Sequence, residues 1–209
     1  LTKLFPILDT AALAQRHCSL SVAAGAFLGA GASLLQIRHK QHWSRDIFAE
    51  AQVVAELCRK HGAQLIINDR ADFALLLNAG LHVGQEDLPP PDARRLIGAE
   101  RVLGFSTHNA AQLAAAGNEP VNYVALGPIF NTANKENPDT EVGLANLSAW
   151  HGLVQQPLVA IGGITRANAL EVLDAGADSL AVIGDLLPAI CTDSTLRERY
   201  ESWQRLLNL

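Results

Sequence analysis

The segment Gln36-Ile37-Arg38-His39-Lys40 sets an amide and two cations at every second position. On a strand these three share a face, so Gln36, Arg38 and Lys40 can reach one small anionic ligand together, the guanidinium as a planar fork and the ammonium as a movable charge. His39 alternates away and reads as a packing or surface residue. Two further apolar runs end in Asn68-Asp69-Arg70 and in His82-Val83-Gly84-Gln85-Glu86-Asp87. If neighbouring strands carry them, Asp69 and Asp87 can offer hard oxygen ligands to Mg²⁺, with diphosphate oxygens and water completing its shell. Paired loop aspartates also cap helices or meet an Arg; their place beside Arg38 and Lys40 favours the metal. Glu86 reads as a surface or supporting group.

Ser106, in Ser106-Thr107-His108, offers an uncharged donor and acceptor to a substrate or leaving group, although Ser106, Thr107 or Asn109 would serve equally as a helix cap. The polar stretch from Gly127 to Gly143 is long enough to fold over a site, excluding water and bringing Thr132, Asn134 and Lys135 to a ligand. A surface loop without ligand contact is the alternative. Gly162-Gly163 ahead of Thr165, and Ile183-Gly184 further on, allow peptide N–H groups to approach a phosphate, and a tight turn needs such glycines just as much. No nucleophilic triad stands out. These residues suggest charge stabilisation and orientation of phosphorylated small molecules.

The elements that must position these groups are visible as apolar runs at residues 4–8, 33–37, 64–67, 81–83, 102–105, 123–126, 158–161 and 180–183. Runs rich in Val, Ile and Leu, separated by crossover-length segments, predict parallel strands covered on both faces. Between them, Ser44 can cap a helix presenting Phe48, Ala51, Ala55 and Cys58 and ending at His61-Gly62. Thr165 can cap another presenting Ala169, Leu170 and Leu173 before Gly176, and Leu196, Tyr200, Trp203 and Leu207 line a final helix. The Pro89-Pro90-Pro91 run reads as a rigid loop leading into a segment from Asp92 to Ile97. Eight strands with intervening helices predict an α/β fold, a single (β/α)₈ TIM barrel over residues 1–209, with an open doubly wound sheet as the second choice. A GxGxxG turn after the first strand is missing, which weakens the open-sheet version that would bind a dinucleotide.

The whole chain agrees with one domain: 209 residues, 49% of them hydrophobic, can bury a core without a metal or disulfide. Sixteen Lys and Arg stand against 21 Asp and Glu, a net charge of -5. That disfavours nucleic acid as a partner and requires any anionic ligand to be held by a local positive site. Cys18, Cys58 and Cys191 follow no metal or disulfide spacing and read as small buried hydrophobes in a reducing cytoplasm. The opening residues carry no secretion signal and no long apolar run occurs, so a membrane location is not expected.

In order and spacing, the segments QIRHK (36–40), IINDRADFAL (66–75), LHVGQEDLP (81–89), GFSTH (104–108), GPIFNTANK (127–135), AIGGIT (160–165) and ADSLAVIG (177–184) closely resemble the thiamine phosphate synthase family. The resemblance covers nearly the whole chain. It implies a (β/α)₈ barrel that uses Mg²⁺ to couple 4-amino-2-methyl-5-pyrimidinylmethyl diphosphate with 4-methyl-5-(2-phosphooxyethyl)thiazole, or its carboxylated precursor, releasing diphosphate and forming thiamine phosphate. Carried over by residue, it implies that Gln36 contacts the pyrimidine and His82 lines its pocket. Arg38, Lys40, Asn68 and Lys135 would hold the diphosphate, Asp69 and Asp87 the metal, and Ser106 would lie near the reacting centre. Thr132 and Asn134 would approach the thiazole, and Gly163, Ile183 and Gly184 its phosphate. Where the family commonly has Thr-x-Thr-Lys this chain has Thr132-Ala133-Asn134-Lys135, and where it commonly has Ser this chain has Gly184. A homodimer is the assembly that the resemblance suggests. A barrel paralogue that aromatises a thiazole precursor, and a noncatalytic phosphate-ligand-binding barrel, are the other two readings.

Overall fold

The computed structural model describes residues 1–131 and 140–209. Each expected apolar run forms a strand: β1 (Leu4–Asp9), β2 (Leu34–Arg38), β3 (Gln64–Asn68), β4 (Gly80–Val83), β5 (Leu103–Thr107), β6 (Tyr123–Leu126), β7 (Leu158–Ile161) and β8 (Ser179–Val182). All neighbours pair in parallel, in chain order, and β8 pairs back onto β1, closing the barrel. The predicted (β/α)₈ barrel is therefore the fold, and the open sheet is not.

Period-two alternation sorts each strand between two apolar layers. Leu34 joins Phe5, Ile7, Ile66, Tyr123, Ala125, Val159 and Ala181 inside the barrel. Leu35 and Ile37 face outward, joining Ile67, Leu81 and Val124 in the layer beneath the helices. Leu35, Ile37, Ile67 and Leu81 are each 0% exposed, and full burial of such a side chain contributes roughly 1.5–3 kcal/mol. The outer layer carries the barrel; the inner one forms a floor that gives way to polar residues at the carboxyl ends of the strands.

The helices are α1 (Thr10–Gln15), α2 (Leu20–Gly29), α3 (Arg45–His61), α4 (Ala71–Leu76), α5 (Pro90–Ile97), α6 (Ala110–Ala116), α7 (Gly143–Trp150), α8 (Ala169–Asp174) and α9 (Asp193–Leu207). Ser44 caps α3 by accepting from the Ile47 N–H, and Gly62 ends it at φ 65°, as its sequence predicts. In α9, Leu196, Tyr200, Trp203 and Leu207 are all buried. Two expectations are corrected. The helix α5 begins at Pro90 rather than Asp92, because proline fits the first turn, where its missing N–H has no helical partner in any case. Thr165 does not cap α8. The helix starts a turn later, at Ala169, and buries Ala169 and Val172, while Leu170 is 48% exposed.

Candidate active site

A cavity of about 800 Å³ opens at the carboxyl ends of the strands. Phe5, Ile7, Ala125, Val159 and Ala181 contribute its apolar lining, while Gln36, Arg38, Lys40, Asn68, Asp69, His82, Asp87 and Ser106 bring polar groups to it. The alternation in β2 turns Gln36, Arg38 and Lys40 to this space together. His39 points away: it is buried, its Nε2–H donates to the His42 carbonyl, and its Nδ1 accepts from the Thr10 hydroxyl at 2.6 Å, so it is the satisfied packing residue expected.

On the cationic side, Arg38 is ion-paired with Asp9, its direct partner in the β1–β2 register. Asp9 is 5% exposed, and its second carboxylate oxygen accepts from the Ala12 N–H at 2.9 Å, capping α1. A guanidinium fixed from behind in this way keeps its remaining donors for the cavity. The sequence reading missed Asp9, although an acid closing an apolar run, as Asp69 does after β3, was the available signal. Lys40 Nζ lies 2.6 Å from Asp69 Oδ2. Asp69 adopts φ 65°, a backbone region that costs a non-glycine residue energy and recurs at functional sites, and its N–H donates to the His82 carbonyl. Burial pushes the Asp69 carboxyl above the usual range. Lys40 holds it partly down, and the adjacent Asp87 carboxylate raises it again. Asp87 in turn accepts from the Gly84 N–H at 2.7 Å. Asn68 is 5% exposed, and its Nδ2 donor finds no acceptor among the described residues.

Deeper in the barrel runs a string of neutral polar groups. The Tyr123 hydroxyl lies 2.8 Å from His82 Nδ1, and His82 Nε2 lies 2.8 Å from Ser106 Oγ, while Gln36 lines the same cavity. Burial holds His82 down to about 4, outweighing the upward pull of Asp87, so the imidazole is uncharged at neutral pH. Burial likewise keeps the Tyr123 hydroxyl protonated. The Tyr123 and His82 rings stack with centroids 5.5 Å apart, and Gly104 makes room for them. A Cβ there would overlap the Tyr123 ring and come within 2.5 Å of His82 Nδ1. The helix-cap alternative for Ser106 falls away, because Asn109 caps α6 and the Thr107 hydroxyl donates to the Ala125 carbonyl. Neither Tyr123 nor Gly104 was singled out from sequence; a buried aromatic at a strand start and a glycine within a strand look like ordinary packing.

The opposite side of the cavity is built on glycine turns, with Thr165 and Asp185 also lining it. Gly162 and Gly163 turn the chain after β7 at φ 101° and 65°, against the segment that leaves β6. The Phe130 N–H donates to the Gly162 carbonyl at 3.1 Å, and a Cβ on Gly163 would stand 2.7 Å from Phe130 Cβ. Asn168 braces the turn by accepting from the Thr165 N–H at 2.8 Å and donating to the Gly163 carbonyl at 3.1 Å. Ile183 and Gly184 line the same side. The legs of the β6–α7 connection are tied together where Val142 and Gly143 donate to the Pro128 and Ile129 carbonyls at 2.8 and 2.9 Å. Thr132, Asn134 and Lys135 lie outside the described residues.

Among the described residues, no cluster of three or more His, Cys, Asp or Glu could hold a metal ion by itself. The facing carboxylates of Asp69 and Asp87, one of them raised by burial and by the other, form a hard-oxygen pair that a divalent cation would neutralise. Cys18, Cys58 and Cys191 are free, and no helix among the described residues is long and apolar enough to cross a membrane.

The family model for thiamine monophosphate synthase matches residues 4–186. The thiamine-phosphate synthase of Koribacter versatilis is 45% identical over 190 residues, covering 90% of each chain. That of Chloroflexus aurantiacus is 40% identical over 188 residues, covering 90% of this chain and 86% of its own. Among solved structures, thiamine phosphate pyrophosphorylase from Pyrococcus furiosus superposes with a TM-score of 0.84 at 28% identity, over 99% of this chain and 95% of that one. A tryptophan synthase α-subunit from the same organism, at TM-score 0.70 and 15% identity, shares the fold alone. Spanning most of each sequence and nearly the whole barrel, these likenesses show that the chain belongs to the thiamine monophosphate synthase family.

Proposed function

We propose that the chain couples the pyrimidinylmethyl diphosphate to thiazole phosphate, and that the groups gathered at the mouth do so by drawing off and orienting a diphosphate. The observation that carries this is the convergence of Arg38, Lys40, Asn68, Asp69 and Asp87 on one wall of a single cavity, with the unpartnered Asn68 Nδ2 among them. An amide donor that is buried without a partner is costly, and a phosphate oxygen would satisfy it.

Arg38, backed by Asp9, and Lys40, released from Asp69, hold the diphosphate oxygens. Lys135 joins them from the β6–α7 connection. Asp69 and Asp87 are the residues that would hold Mg²⁺, which when bound neutralises negative charge on the leaving group. Gln36, His82 and Tyr123 present uncharged donors and acceptors to the aminopyrimidine, and the neutral imidazole leaves a developing cation unopposed. The bond from the pyrimidine methylene carbon to the diphosphate oxygen breaks with its electron pair departing on oxygen. The thiazole nitrogen then gives its lone pair to that carbon. Ser106 Oγ, beside His82, lies where the two reactants meet. No proton need be abstracted, so orientation and electrostatic preorganisation carry the rate. Thr132 and Asn134 approach the thiazole, and the turns at Gly163 and Ile183-Gly184 receive its phosphate. The three free thiols support a reducing, cytoplasmic setting.

The test mixes purified protein with both substrates and Mg²⁺ and measures thiamine phosphate and diphosphate in equal yield, suppressed by chelator. Binding of both substrates without either product would mean a noncatalytic barrel. Aromatisation of a thiazole precursor without coupling would mean the paralogue's activity.

A further inference from the structure

After β8 the chain makes a short helical turn, Gly184–Leu186, before running to α9. Asp185 in this turn lines the cavity with its side chain 17% exposed. A carboxylate at the edge of a pocket that takes a phosphate would repel its ligand unless it were compensated. Two guanidiniums compensate it. Arg166, from the turn after β7, donates through Nε to Asp185 Oδ2 at 2.9 Å. Arg199, from α9, donates through Nη1 to the Asp185 main-chain carbonyl at 2.6 Å and lies 3.9 Å from Oδ1. Ser202 closes the ring: its hydroxyl accepts from Arg166 Nη1 at 3.2 Å and donates to the Arg199 carbonyl at 2.6 Å. The network therefore joins both backbone turns of the phosphate side to one helix and carries a net charge of one positive unit.

The ring also bears on the direction of the peptide groups. The Ile183 carbonyl accepts from the Leu186 N–H, the Gly184 carbonyl from the Leu187 N–H, and the Asp185 carbonyl from Arg199. Three successive carbonyls are thus engaged, and in a turn of helical sense the N–H ends point the opposite way. Gly184 has no side chain with which to make or correct a phosphate contact, so the placement of this backbone sets the contact.

We infer that Asp185 is a positioning residue: clamped by Arg166 and Arg199, it holds the turn after β8 in the orientation that receives the phosphate of the thiazole substrate. This rests on the coupling reaction proposed above. The test is steady-state kinetics with each substrate varied in turn. Asp185→Ala raises KM for thiazole phosphate about tenfold or more, with kcat at saturation and KM for the pyrimidine diphosphate within about twofold. Asp185→Asn, which keeps an acceptor for Arg166, recovers most of the loss, and Arg166→Lys shifts the same KM in the same direction by less. The unphosphorylated thiazole alcohol serves as the internal probe, and its KM stays unchanged in Asp185→Ala. An unaltered KM for thiazole phosphate in Asp185→Ala overturns the inference. So does a loss shared equally by both substrates, by the alcohol and by thermal stability, since that is the mark of a scaffold residue. A wild-type protein that forms no thiamine phosphate would instead refute the coupling reaction, leaving a different signature.

Discussion

Between β2 and β5 the mouth of the barrel presents side chains to the cavity, Arg38, Lys40, Asn68, Asp69 and Ser106, whereas around β7 and β8 it presents the glycines Gly162, Gly163 and Gly184, with the Asp185 side chain beside them held by Arg166 and Arg199. The two sides fail differently when altered. A side-chain grip is lost one group at a time, because each donor or carboxylate sits on a strand end that stays in place without it. The turn after β7 depends on dihedral angles that only glycine adopts cheaply, Gly162 at φ 101° and Gly163 at φ 65°, so one added methyl there displaces it.

The largest expected effect belongs to the side-chain half. Asp87→Ala lowers turnover by about a thousandfold and leaves the residual rate insensitive to Mg²⁺; turnover that is unchanged across magnesium concentrations would remove Asp87 from the metal. On the backbone half, Gly163→Ala forces a Cβ to within 2.7 Å of Phe130 Cβ at φ 65°. It is expected to raise KM for thiazole phosphate about ten- to a hundredfold and to cost about 1–3 kcal/mol of stability, both measurable by kinetics and denaturant melts. If the pyrimidine diphosphate KM rises equally, the division between the halves is wrong.

A smaller effect distinguishes the buried polar string. His82 titrates near 4 in the folded protein against an ordinary value of 6.5, so on acidification the unfolded chain takes up the proton first. Its neutral form contributes stability that is fully present above about pH 6.5 and is lost as pH falls toward 4, with a slope of at most about 1.4 kcal/mol per pH unit. Urea unfolding across this window should show the slope in the parent and a flatter line in His82→Asn; an imidazole seen by NMR to titrate near 6.5 would contradict the neutral string. Smallest of all, Gly184→Ser supplies a hydroxyl beside the turn and should lower KM for thiazole phosphate a few-fold, with little change elsewhere. No change would mean that the backbone there already satisfies the phosphate.

The same contrast explains how much was legible in the chain. The eight apolar runs announced the barrel because buried parallel strands need little besides Val, Ile and Leu, and the alternation in QIRHK announced which residues face inward. Asp69 and Asp87 drew notice because they follow apolar runs in company with Arg38 and Lys40, although helix capping or an Arg partner would account for such aspartates equally well. Asp9 also follows an apolar run and was overlooked, its strand lying well before the cation it holds. Tyr123 and Gly104 were not readable, since their importance comes from meeting across β5 and β6, a pairing that appears only when the sheet closes. The start of α8 was misjudged for a different, local reason: Asn168, although it stands at the helix start, turns its side chain back to the Gly163 carbonyl and the Thr165 N–H, bracing the preceding turn instead of capping the helix ahead.

Where the chain leaves β6 and returns before α7, two rungs, from Val142 to Pro128 and from Gly143 to Ile129, fasten the outgoing leg to the incoming one. Both rungs run from main chain to main chain, so they do not depend on the side chains of the residues that make them. Exchanging residues 132–139 for the corresponding stretch of a relative puts the expected roles of Thr132 and Asn134 to the test, the expected outcome being a changed KM for thiazole phosphate at an unchanged melting temperature.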